Sequence, residues 1–178
     1  MKKTLALLLM LAILILPSQA YAAPPSIKMS ISEVNKIYFE EYNKRLKEVK
    51  SAIRRYKAPV CSDVITLTNQ SKQLTTKYNN LKKSKTSKTE LSQMKATLDK
   101  AKKSLSEAKK VCNKETAETK KELNGQVKEV SLAKTSGVKL NVDSYNKGTI
   151  TSSTFDKEIR SIVKLVDDVF TYILEDLE

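Results

Sequence analysis

The chain reads as an all-α protein, and three observations carry that reading. Apolar residues recur at three- and four-residue steps over almost the whole length, which places them along one stripe of a helix. Only three glycines and four prolines interrupt 178 residues. Two of the periodic runs are mirror images of each other about a short polar break, the pattern of an antiparallel helical hairpin. The predicted architecture is an elongated helical bundle, a three-helix base with a projecting antiparallel coiled-coil hairpin clamped by a disulfide.

Residues 1–22 form a secretory signal peptide in this reading. Lys2 and Lys3 supply the positive start, Leu5 to Leu16 is a 12-residue apolar run, and Ala20-Tyr21-Ala22 is a small-x-small cleavage site. At about 1.5 Å per residue that run reaches about 18 Å, short of the ~30 Å hydrocarbon core, so a cleaved leader is expected and not an anchor. The product is expected outside the cytoplasm, secreted, periplasmic or held at the cell surface, with no transmembrane segment after cleavage. Residues 23–178 are expected to make a single domain.

The first helix opens at Ser30, where Glu33 completes a capping box and Met29 faces Val34 as a hydrophobic staple. Its stripe is Ile31, Val34, Tyr38, Tyr42, Leu46, Val49, Ile53 and Tyr56, and the helix is predicted to run unbroken over about 30–57. Pro59 then breaks the ladder, because it has no N–H and disfavours helical geometry at Ala58. Whether the chain kinks there or turns fully decides between a projecting hairpin and a compact four-helix bundle. The second arrangement would bury lysine-rich faces at high cost.

The hairpin occupies about 60–112. Val60, Val64, Leu67, Ser71, Leu74, Tyr78 and Leu81 step by four and three. A polar break over residues 82–87 follows, Ser87 and Glu90 offer a second capping box, and Leu91, Met94, Leu98, Ala101, Leu105, Ala108 and Cys112 form the returning seam. Folding one run on the other pairs Leu81 with Leu91, Leu74 with Leu98 and Val60 with Cys112, and the two numbers of every such pair total 172. A constant total is what antiparallel rods require. Cys61 and Cys112 fall level at the open end, and in an exported protein they are expected to form a disulfide.

The returning helix is predicted to continue into the base over about 113–136, with Leu123, Val127, Val130 and Ala133 on its stripe. Gly125 weakens it, and Gly137 is read as its stop. Residues 138–150 are expected to be non-helical. Thr151 caps a last helix over about 152–177, whose broad face from Phe155 through Ile159, Val166 and Phe170 to Leu177 demands two neighbours.

Function is bounded mainly by what is missing. The chain has no histidine and no tryptophan, so it has no imidazole base, no histidine metal ligand and no Ser/Cys–His nucleophile pair. The expectation is a protein that is not an enzyme and carries no cofactor or metal. Asp143, Gly148 and Ile150 sit at three places of an EF-hand loop, but Tyr145, Lys147 and Thr154 stand where carboxylates belong. The turn at Gly148 is therefore structural in this reading. Asp167-Asp168 and Glu175-Asp176 are sequence neighbours that diverge on a helix and read as a solvated face.

Charge is the remaining signal. With 33 Lys+Arg against 20 Asp+Glu the chain carries +13. Residues 58–118 hold 13 bases against six acids, while residues 149–178 hold three against seven. The tip of the hairpin is the extreme, with Lys77, Lys82, Lys83, Lys85 and Lys88 as candidate anion contacts and no acid from Val64 to Thr89. The expected role is an exported helical binding or structural protein of the cell envelope, whose basic tip touches an anionic polymer or an unknown protein partner through counterion release. Only four of the basic residues are arginine, so sequence-specific nucleic-acid recognition is not expected. A periplasmic holdase-type chaperone and a secreted membrane-active protein are the alternatives, in that order.

Overall fold

The computed structural model describes Pro25, residues 27–84 and residues 86–177; the predicted leader, residues 1–22, lies outside them. Among the described residues there are five helices and no strand: α1 (Ile31–Tyr38), α2 (Tyr42–Arg55), α3 (Cys61–Lys83), α4 (Lys88–Asn146) and α5 (Ser152–Glu175). No helix among them is long and apolar enough to cross a membrane. The chain is an all-α helical bundle with a Cys61–Cys112 disulfide.

Two compact units divide it. One takes the described residues up to Lys47 with Val127–Tyr172; the other takes Glu48–Gln126 with the described residues from Ile173 on.

In the first unit the capping box forms as the sequence requires: the Glu33 N–H donates to the Ser30 hydroxyl, and the Glu33 carboxylate accepts from the Ser30 N–H at 2.8 Å. The predicted single first helix does not hold. It stops at Tyr38, Phe39 leaves helical geometry at φ −124°, ψ 31°, and α2 restarts at Tyr42. The break lets Phe39 bury itself beside Tyr42, edge to face with ring centres 6.4 Å apart, while Tyr42 stacks on Phe170 at 5.8 Å. A straight helix would turn Tyr38 inward and leave Phe39 about 100° off the stripe. Burying the ring outweighs the ladder bonds lost.

A second correction concerns the end of α4. The helix does not stop at Gly137 and residues 138–146 are helical, so Val138 and Val142 join the core. Gly137 serves packing instead: a Cβ there would lie 2.8 Å from Ile162 Cδ1 on α5. The true stop is Gly148, with φ 70°. The Gly148 N–H bonds to the Tyr145 carbonyl and the Thr149 N–H to the Ser144 carbonyl, each at 2.9 Å, which is the Schellman pattern that favours glycine at that place. Asp143, read above as the first place of an EF-hand-like stretch, lies in the last turn of α4, where its carbonyl accepts the Lys147 N–H.

Asn146 ties this end down. Its side-chain amide donates to the Met29 carbonyl and accepts from the Met29 N–H, at 2.8 and 2.9 Å. The Thr151 hydroxyl then caps α5 through the Thr154 N–H. The broad face of α5 buries Phe155, Ile159, Val166, Val169 and Phe170.

In the second unit α3 and the first part of α4 are joined by the four residues 84–87. Their far ends are linked by the disulfide, with Cα atoms 4.8 Å apart. A short turn at one end and a covalent bond at the other make the pair antiparallel. Ser71, Leu98 and Cys112 are the most buried seam positions. Residues 56–60 are non-helical, and the buried Ala58 N–H donates to the Thr116 hydroxyl at 3.1 Å. That hydroxyl also lies 3.5 Å from Cys61 Sγ. Val49, Ile53, Leu123 and Ile173 complete the core of this unit.

Candidate functional site

The basic tip is built by two helix ends. Lys82 and Lys83 occupy the last turn of α3, where the partial negative charge of the helix C-terminus favours cations. Ser84 closes that helix: its N–H bonds to the Asn80 carbonyl and its hydroxyl to the Leu81 carbonyl. On the other side the Ser87 hydroxyl caps the Glu90 N–H at 3.3 Å and donates to the Glu90 carboxylate at 3.2 Å. Lys88 opens α4.

Lys77, Lys82, Lys83 and Lys88 are all exposed, and Lys85 lies outside the described residues. None of the four is paired with a carboxylate among the described residues. Glu90, the nearest acid in sequence, is occupied by its cap. The tip therefore holds exposed ammonium groups on long stems. Such groups attract phosphate or carboxylate polymers by charge, and they lack the forked geometry that reads a particular shape.

Tyr38 and Arg160 line an open groove of about 570 Å³ in the first unit, and both bond to Asp156. Tyr38 donates its hydroxyl to Asp156 Oδ1, and Arg160 Nε donates to Asp156 Oδ2, both at 2.8 Å. The Arg160 guanidinium lies 5.8 Å from the Tyr38 ring centre. The hydrogen bond from Arg160, then that from Tyr38, holds the Asp156 carboxyl below its ordinary value of 3.8. Burial, then the bond to Asp156, pushes the Tyr38 phenol above 10.0. Both shifts run against proton transfer near neutral pH, since the acid stays ionised and the phenol stays protonated. The cluster ties α1 to α5. Asp167 and Asp168 also line this groove, both exposed as the sequence implied.

Sequence reasoning missed Lys134. Its ammonium sits 4.4 Å from the centres of both the Phe39 and the Tyr42 rings and donates to Asn35 Oδ1. Burial holds its pKa below 10.5. Two ring faces and an amide oxygen replace part of its lost hydration. A signal was available: Lys134 falls on the stripe Leu123, Val127, Val130, Val138, Val142 at the position where an apolar residue is due. Reading Gly137 as a stop ended that stripe too early to show the gap.

Among the described residues no group of three or more His, Cys, Asp or Glu side chains converges as a metal site. No protein-family model, curated protein or solved structure matches this chain.

Proposed function

We propose that the protein is an exported, non-enzymatic helical module of the cell envelope, whose lysine-rich hairpin end holds it to an anionic envelope polymer. One observation carries the reading: exposed lysines bracket the 84–87 turn with no acid in the sequence from Val64 to Thr89. Helix geometry supports it, because α3 and α4 deliver Lys82, Lys83 and Lys88 to the same end of an antiparallel pair. Export rests on the leader-like first 22 residues, and the disulfide is compatible with an oxidising compartment.

The test is retention on purified cell-wall or outer-envelope material across a salt gradient. Changing Lys82, Lys83, Lys85 and Lys88 together to Gln is expected to move elution to markedly lower salt, because fewer counterions are released. Unchanged elution would remove the tip as the contact.

A further inference from the structure

The hairpin carries a second, longer basic surface. Lys88, Lys95, Lys102 and Lys109 recur every seven residues, all within the unbroken helix α4, and all are exposed. Seven residues return to within about 20° of the same direction and advance about 10.5 Å. The four ammonium groups thus line one side of the helix over roughly 30 Å.

The next residue in this series is Thr116, whose hydroxyl lies 3.5 Å from Cys61 Sγ. That contact identifies which side of α3 borders the lysines. Antiparallel register carries it along the pair: Thr68 falls opposite Lys109, Thr75 opposite Lys102, and Lys82 opposite Lys95. Thr68 and Thr75 are uncharged, and their hydroxyls donate to the Val64 and Ser71 carbonyls of their own helix. The flank contains five lysines and no acid. Asp99, four residues beyond Lys95, pairs with neither Lys95 nor Lys102. The opposite flank holds Asp63, Lys77 and Glu90 and is nearly neutral.

We infer that this flank is a track for one extended, linear phosphate-bearing polymer that runs along the hairpin. The inference rests on the envelope-binding reading above and names both the surface and the ligand class. A row of evenly spaced point charges matches a chain of phosphates better than a membrane, which would also demand apolar anchors. Ile65 and Val111, the large exposed apolar residues of this pair, fall outside the lysine row. The flank offers no aromatic face for bases to stack on, since Tyr78 belongs to the seam. The polymer is therefore read without nucleobases.

The experiment titrates the oxidised protein with inorganic polyphosphate at several salt concentrations, beside an oligothymidylate of equal charge and phosphatidylglycerol vesicles. Five phosphate contacts give a log–log salt slope of about −3.5, so affinity is expected to fall about 130-fold between about 50 and about 200 mM salt. Changing Lys95, Lys102 and Lys109 to Gln keeps helix propensity, and the variant, which retains Lys82 and Lys88, is expected to lose only about sevenfold over the same range. If this variant binds like the parent while the Lys82, Lys83, Lys85 and Lys88 variant does not, the track is overturned and the tip reading stands. If neither variant weakens binding, both fall. Oligothymidylate or vesicles bound tenfold more tightly than polyphosphate would overturn the ligand class.

Discussion

At the scale of single residues, the clearest consequences are electrostatic. Glu33 and Asp156 are both held below their ordinary values. For Glu33 the cause is the Ser30 hydroxyl and then its N–H; for Asp156 it is Arg160 and then Tyr38. A depressed carboxyl contributes stability that is present above its ordinary pKa and is lost as pH falls through the folded one. Stability is therefore expected to drop below about pH 4, with both groups exposed enough that each contributes modestly. Urea midpoints measured between about pH 5 and about pH 3 should fall less for Asp156→Asn than for the parent, because the variant has no carboxyl there to protonate. A parallel decline in both proteins would remove Asp156 from the account. Lys134 shows why composition alone misleads. A lysine on an apolar stripe reads as an interruption, yet the half-buried Lys134 packs its ammonium against both the Phe39 and the Tyr42 rings.

At the scale of helices, the two glycines of α4 separate propensity from packing. A Cβ at Gly125 would meet nothing within 4 Å, whereas one at Gly137 would press on Ile162 Cδ1 at 2.8 Å. Gly125→Ala is expected to stabilise the protein by about 0.5–1 kcal/mol, the ordinary gain of Ala over Gly in a helix. Gly137→Ala should gain less, since the Ile162 side chain must move aside to admit the methyl. Adding Ile162→Val, which removes the clashing methyl, should restore part of the gain. Denaturant unfolding of the four proteins checks the order, and equal effects at 125 and 137 would show that α5 does not press on Gly137. The same comparison explains the misread helix end. Glycine at a C-terminus and glycine at a close helix contact look identical in sequence, and only the partner helix distinguishes them.

At the scale of the whole molecule, the disulfide acts chiefly on the unfolded chain. Cys61 and Cys112 are 51 residues apart, and closing a loop of that size lowers unfolded-state entropy by about 4 kcal/mol in the chain-entropy model. Cys61→Ala with Cys112→Ala is expected to lower the unfolding free energy by about 2–4 kcal/mol. A chemical melt of the double variant against the oxidised parent measures it, and a difference near zero would mean that the helix seam holds the register unaided. The bridge joins the only two cysteines of the chain, and its register is the one that the mirror-related seams demand. Charge is also a property of the whole chain. The net +13 is unevenly held, with the excess on the residues of the hairpin and a deficit on those of α5, so positive potential is concentrated on α3 and the first part of α4.

The amino-acid sequence alone determined the helical class, the Ser30, Ser87 and Thr151 caps, the hairpin register and the cysteine pairing. Each of these depends on residues a few positions apart or on a pairing rule that the numbering itself displays. Tertiary structure decided where α1 ends, how far α4 runs, and what Gly137 and Lys134 do. Those outcomes turn on which ring or methyl group a distant helix places against the residue. Phe39 lies outside helical geometry with its ring buried against Tyr42, and Gly137 lacks a side chain where Ile162 of α5 fills the space that one would have taken. Local periodicity carries no record of such neighbours, since it repeats within one helix while the energy of burial is settled between several.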